Sequence, residues 1–204
     1  MAHKSQAYLI VDADAEGLRP EQLSRALRRH RVACVLLASR QGGVERLRAL
    51  AAACQLEDAA ALIEADPQLA LAAGADGVHL PYPGSAEAAE RLYKVARQAL
   101  GAKRIVGAAS GLLRHDAMVL AELGADYLAF EDEAGADPAR LLEHIGWWAE
   151  MFEVPCVAWG AASRDDVRRL AAAGADFVAA GPVGGIDGAL DNLAALTEPQ
   201  EAGA

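Results

Sequence analysis

A single-domain (β/α)8 TIM barrel is the fold class this sequence predicts, on three observations. The tripeptide Gly-Ala-Asp recurs at Gly74-Ala75-Asp76, Gly124-Ala125-Asp126 and Gly174-Ala175-Asp176, a constant interval of 50 residues. Each copy follows an Ala- and Leu-rich run and precedes a short apolar stretch, so each reads as a helix stop leading into a strand. Glycine suits that stop because it enters the left-handed region without a Cβ penalty. The interval exceeds one strand–helix pair and holds two compact ones. Eight short apolar segments alternate with eight helical ones along the chain, and no Gly-x-Gly-x-x-Gly follows the first strand, as it would in many open doubly wound sheets. The 204 residues suffice for a barrel without a second domain, with an ordered core from about residue 7 to 196.

The elements follow in order. A first strand spans Ala7 to Val11. The next helix runs from Pro20 to His30, its proline suited to a first helical turn. A second strand covers Ala33 to Leu37, a helix Val44 to Cys54, and a third strand Ala59 to Ile63. Pro67 to Ala73 makes a short helix, and the first Gly-Ala-Asp loop delivers the fourth strand, Gly77 to Leu80. Ser85 caps a helix to Leu100. A fifth strand, Arg104 to Ala108, precedes a helix from Arg114 to Leu123 and, after the second loop, the sixth strand, Tyr127 to Phe130. Asp137-Pro138 has the chemistry of an N-cap followed by a first helical residue, opening a helix to Met151. The seventh strand is Pro155 to Trp159, and Ser163 caps Arg164 to Ala173. The third loop leads to the eighth strand, Phe177 to Ala180. Asp187 to Leu196 is the last helix and Glu198 to Ala204 a frayed tail.

A net charge of −10 and a pI near 4.9 argue against a nucleic-acid backbone or an anionic membrane surface as the partner. A polar N-terminus and a first apolar run only a strand long predict a soluble, cytoplasmic protein. Cys34, Cys54 and Cys156 lack metal-ligand spacing and read as core residues of a reducing compartment.

Four stretches resemble the thiamine phosphate synthase and thiazole tautomerase superfamily. They are Tyr8-Leu9-Ile10-Val11-Asp12, Leu69 through Leu80, Leu123-Gly124-Ala125-Asp126-Tyr127, and Val154-Pro155-Cys156-Val157-Ala158-Trp159-Gly160. The resemblance implies a barrel in which magnesium assists ionisation of a pyrimidine diphosphate and a thiazole phosphate nitrogen captures the carbocation. It also implies Asn-Asp-Arg after the third strand, the Asp on the metal and the Arg on the diphosphate. This chain has Glu64-Ala65-Asp66 there. Ala65 cannot ligate magnesium, and Asp66 places an anion where a cation would meet the leaving group. The family's Gly-Gln and metal-binding Asp after the fourth strand align with Pro81-Tyr82 and about Gly84. Its Gln-Leu-Arg-x-Lys aligns with Leu36-Leu37-Ala38-Ser39-Arg40, its Ser-Thr-His with Ala108-Ala109-Ser110, and its Gly-Pro-Ile-Phe-x-Thr with Ala129-Phe130-Glu131-Asp132-Glu133. The sequence therefore predicts a divergent member with ordinary synthase activity lost and without magnesium or another cofactor. Any remaining chemistry would be that of a related transferase or isomerase. The tautomerase branch uses a histidine near the end of the fifth strand; here His115 falls later, inside a helix.

Barrel sites form at the C-terminal ends of strands. The candidates there are Asp12, Ser39, Arg40, Glu64, Asp66, His79, Ser110, Glu131, Asp132, Gly160 and Gly181. Asp12, Glu64 and His79 are the catalytic candidates, set against a solvated turn, an acidic rim and a hydrogen-bonded core histidine. Arg40 could bind an anion or pair with Glu64 or Asp66. Gly160, Ala161, Gly181 and Gly184, in the loops after strands seven and eight, have the small residues that let backbone N–H groups approach a phosphate. Trp159 is expected to pack outward between sheet and helix if Ala158 or Gly160 faces the lumen, and Trp147-Trp148 with Phe152 to form a helix-core face whose exposed remainder could support a homo-oligomer. The leading function is binding of a phosphorylated or heterocyclic small molecule related to thiamin biosynthesis. A non-catalytic interaction or regulatory protein that kept the barrel is the alternative, and a metal-assisted enzyme built on Asp12, Glu64, Asp66 and Glu131 a third.

Overall fold

The computed structural model describes residues 4–41, 43–131, 137–181 and 185–198. Strands β1 (Gln6–Asp12), β2 (Val32–Ala38), β3 (Ala60–Glu64), β4 (Gly77–Leu80), β5 (Ile105–Ala109), β6 (Tyr127–Phe130), β7 (Cys156–Ala158) and β8 (Phe177–Ala180) pair in parallel, each with the next, and β8 closes on β1. Helices α1 (Pro20–Arg29), α2 (Val44–Gln55), α3 (Pro67–Ala73), α4 (Ala86–Leu100), α5 (Arg114–Glu122), α6 (Pro138–Met151), α7 (Arg164–Ala172) and α8 (Gly185–Leu193) alternate with them. The predicted TIM barrel is the fold. The differences lie at ends: β7 stops at Ala158, before Trp159, and α8 stops at Leu193, where a 3-10 turn over Ala194–Leu196 takes over. Glu198, read as tail, is held by ion pairs with Arg164 and Arg168 of α7.

The Gly-Ala-Asp loops do what local chemistry requires, and more. Gly74, Gly124 and Gly174 have φ of +70°, +88° and +105°, the left-handed turn that ends α3, α5 and α7. The alanines are buried. Each aspartate turns back to the preceding strand: Asp76 Oδ2 accepts the Ala61 N–H of β3 (2.8 Å), Asp126 Oδ2 the Val106 N–H of β5 (2.7 Å), and Asp176 Oδ2 the Cys156 N–H of β7 (2.7 Å). The repeat thus satisfies the first free amides of three strands at the N-terminal end of the barrel. The β1–β2 pair has no such aspartate, and its register shifts between Ala7 and Tyr8.

Two apolar clusters follow from strand alternation. One lies between sheet and helices and includes Leu9, Val35, Val78, Phe130, Trp148 and Val178. The other fills the lumen with Tyr8, Leu36, Leu62, Tyr127, Val157 and Ala179, among others, and Trp159 packs against it. All three cysteines are buried free thiols whose pKa values burial pushes up, as core residues' would be. Among the described residues no helix is long and apolar enough to cross a membrane. Exposed large apolar side chains are spread from the end of α2 to α6, with Leu56, Val95 and Met151 the most open.

Candidate functional site

The C-terminal rim begins at β1, where Asp12 is exposed and its Oδ1 accepts the Asp14 N–H at 2.9 Å. Asp14, which sequence reasoning missed, ties the first two rim loops together. Its carboxylate accepts the Ser39 hydroxyl (2.8 Å) and the backbone N–H groups of Arg40 (2.6 Å) and Gln41 (3.0 Å). The Ser39 hydrogen bond, then those amides and the Arg46 charge, hold its pKa below the usual carboxylate value. Arg46 reaches from α2 to the carbonyls of Ala13, Ala15 and Leu18 and fixes the same loop. Ser39 and the Arg40 amide are therefore engaged in holding the rim. Among the described residues Arg40 forms no ion pair with Glu64 or Asp66.

Glu64, half-buried, ends β3. Ala65 follows with φ +61°, unusual for a residue with a Cβ. Its N–H donates to the His79 carbonyl (2.8 Å), while the Asp66 N–H donates back to the Glu64 carbonyl (2.7 Å), a tight turn across one residue. The Asp66 carboxylate then accepts the N–H groups of Gln68 and Leu69, both at 2.9 Å, as N-cap of α3. Asp66 was thus a candidate rim carboxylate that works instead as a helix cap. Its sequence signal was legible, because Asp66-Pro67 repeats the pattern of Asp137-Pro138, where Asp137 caps α6. Among the described residues no three His, Cys, Asp or Glu side chains could hold a metal ion together. Asp12, Glu64, Asp66 and Glu131 thus do not form the converged group that the metal-assisted reading required.

An aromatic stack fills the lumen beneath the rim. His79 is 3% exposed and lies between the rings of Tyr127 (5.9 Å between centroids, 9° between planes) and Trp159 (4.8 Å, 17°). His79 Nδ1 and the Tyr127 hydroxyl share a 2.9 Å hydrogen bond, and the hydroxyls of Tyr127 and Tyr8 another of 3.0 Å. Burial lowers the His79 pKa to about 3 and raises those of both tyrosines, so the stack is neutral near pH 7. His79 is thus a hydrogen-bonded interior residue. The outward placement expected for Trp159 is corrected: Ala158 faces the helices, so alternation turns Val157 and Trp159 inward. Small residues make the room. A Cβ on Gly107 would lie 1.9 Å from Tyr127 Cζ, so the Tyr127 ring occupies the space of the missing side chain.

Around the rest of the rim, Ser110 is fully buried and Tyr82 donates to Asp116 Oδ2 at 2.6 Å. Gly160 is exposed, Ala161 is buried with its N–H on the Ala179 carbonyl (3.2 Å), and Gly181 is half-buried. Gly184, like Asp132 and Glu133, lies outside the described residues. Glu131, Trp159 and Gly160 come together at a slot of about 260 Å³ between the β6 and β7 ends. Leu141 and Leu142 of α6 and Leu170 of α7 wall it, and Asp166 and Arg169 stand at its polar side. Asp166 is held below its ordinary pKa by the Ser163 hydroxyl first, then by Arg169 and the Ala162 amide.

Residues 7–181 match the family model described as thiamine monophosphate synthase. The chain is 35% identical over 189 residues to the thiamine-phosphate synthase of Erythrobacter litoralis, covering 86% of this chain and 85% of that protein. It is 39% identical over 190 residues to the thiamine-phosphate synthase of Rhodospirillum centenum, covering 84% and 85%. The solved thiamine phosphate pyrophosphorylase of Pyrococcus furiosus superimposes with a TM-score of 0.73 at 25% identity, over 96% of this chain and 95% of that one.

Proposed function

The chain belongs to the thiamine monophosphate synthase family, and from that premise we propose that its C-terminal mouth binds a phosphorylated or heterocyclic small molecule related to thiamin biosynthesis, with ordinary synthase turnover lost. The observation that carries the loss is the turn after β3. Where the family resemblance calls for a metal ligand and a diphosphate-binding cation, Ala65 offers no donor, and Asp66 offers a carboxylate already bonded to two amides. Gly84, at the second expected metal position, has no side chain. These residues do not fit a magnesium–diphosphate pair, and an added carboxylate opposes a diphosphate electrostatically. Binding itself is supported by the small-residue loops at Gly160-Ala161 and Gly181, the slot between β6 and β7, and a preorganised aromatic floor.

A second reading, ordinary thiamine phosphate synthesis, is favoured by the names of relatives 35–39% identical across most of the chain. One experiment separates the two. Purified protein is incubated with the pyrimidine diphosphate, thiazole phosphate and magnesium, product is followed by chromatography, and thermal unfolding is recorded with thiazole phosphate alone. Thiazole phosphate at a hundredfold its dissociation constant adds about 2.7 kcal/mol to the native state, a rise of roughly 5–11 °C for a chain of this size. Stabilisation without product is expected. Product formation would overturn the proposed loss, and an unchanged melting curve would overturn this choice of ligand.

A further inference from the structure

We propose that two copies of this chain associate side by side through α1 and α8, with Arg25 and Arg29 of each copy meeting Asp187 and Asp191 of the other. This surface lies on the outer wall of the barrel and is independent of what the mouth binds. Charge points to it first. Residues 19–31 carry five arginines and one glutamate in a chain of net charge −10. On the α2 side of the helix, Arg28 is engaged by Glu57 and Ser24. Arg25 and Arg29 are exposed, and among the described residues neither has an ion pair or a side-chain hydrogen bond. Elsewhere arginines of the outer helices find carboxylates close by, as Arg97, Arg164 and Arg168 do.

Spacing then selects the partner. Arg25 and Arg29 are four residues apart on one helix, hence one turn apart on one face. Asp187 and Asp191 of the neighbouring α8 have the same spacing, are exposed, and their carboxylates likewise have no partner among the described residues. Within one copy the two pairs sit side by side: α1 and α8 flank a groove of about 430 Å³ lined by Arg25, Arg29 and Asp187, and among the described residues no ion pair crosses it. A twofold axis parallel to the barrel axis opposes them, because it sets α1 of one copy over α8 of the next, running the same way, and does so twice. Such a contact is self-complementary and closes at two copies. Half-buried Ala26 and Ile186 give it apolar area between the charges. Pro182, Val183 and Gly184, which precede α8, bring no charge to it. At physiological ionic strength the like net charges of two copies are screened beyond about 8 Å, so the local pairs decide.

The test is the mass in solution of the purified full chain, by sedimentation equilibrium at physiological ionic strength over a concentration series. It should approach twice that of a single chain. Arg25→Glu with Arg29→Glu should weaken the dimer about a hundredfold, because each contact then sets like charges together, and Asp187→Arg with Asp191→Arg should do the same. An equimolar mixture of the two double variants should recover the dimer to within about tenfold, since every contact between unlike copies again pairs opposite charges. All four substitutions in one chain should do so too. A chain monomeric at every concentration, a dimer indifferent to either double variant, or double variants that fail to rescue each other would each overturn the proposal. Thiazole phosphate takes no part in these measurements, so their outcome is separate from that for the mouth.

Discussion

Moving from pH 7.5 to pH 5.0 should remove about 4 kcal/mol of folding stability, half of it through a single residue in the barrel's interior. His79 is buried and neutral, with a folded pKa of about 3 against 6.5 for the free side chain. The unfolded chain therefore binds the extra proton, and stability falls as the pH drops below 6.5 until the folded group titrates near 3. At pH 5.0 the unfolded histidine is charged and the folded one is not. The gap of about 1.5 units, at about 1.36 kcal/mol each, is roughly 2 kcal/mol. His144, 4% exposed behind Phe130 and lowered to about 4 by burial and then by Arg114 and Arg140, adds a similar amount with the same sign. Carboxylates with lowered values, Asp14, Glu57, Asp166 and Glu198, also lose their contribution on acidification, but only as the pH falls below their ordinary values of 3.8 for the aspartates and 4.5 for the glutamates. Urea unfolding at the two pH values measures the difference directly. His79→Gln should retain only about half of the wild-type pH dependence, and His144→Gln likewise. Wild type and both variants losing equal stability between pH 7.5 and 5.0 would refute the reasoning.

Two further outcomes follow from the packing. Gly107→Ala puts a methyl group into the Tyr127 ring and should destabilise by about 1–3 kcal/mol, seen as a lower thermal midpoint; an unchanged midpoint would mean the ring does not fill that space. Asp126→Ala leaves the Val106 N–H without its acceptor and should lose about 1–3 kcal/mol, while Asp126→Asn, which keeps a carbonyl there, should lose less in the same denaturant titration.

The scaffold was legible because its signals are local. A glycine that must turn left-handed, a proline at a first helical position and a serine at an N-cap each act within a few residues, so element ends shift by a residue or two at most positions. The site was less legible because its partners are distant in sequence. Tyr8 and Tyr127 share a hydrogen bond across 119 positions, and Asp14 meets Ser39 across 25, which no local pattern reveals. Trp159 was misplaced through the phase of the strand: the outward placement supposes that Ala158 faces the lumen, whereas Ala158 faces the helices and Val157 and Trp159 the lumen. Asp66 is different. Its cap chemistry was written in the Asp-Pro pair and was read as a charge facing a ligand.

The aspartates of the three repeated loops also bear on how the two ends of the barrel are held. Each clasps an odd strand to its successor at the bottom of the barrel, which leaves the loops above β3, β5 and β7 mechanically independent of that clasp. The first quarter is built the other way up: β1 and β2 lack the lower clasp, and Asp14, Ser39 and Arg46 fasten them above. The first two strands are thus fastened at the end of the barrel where ligands bind, and the three later pairs at the opposite end.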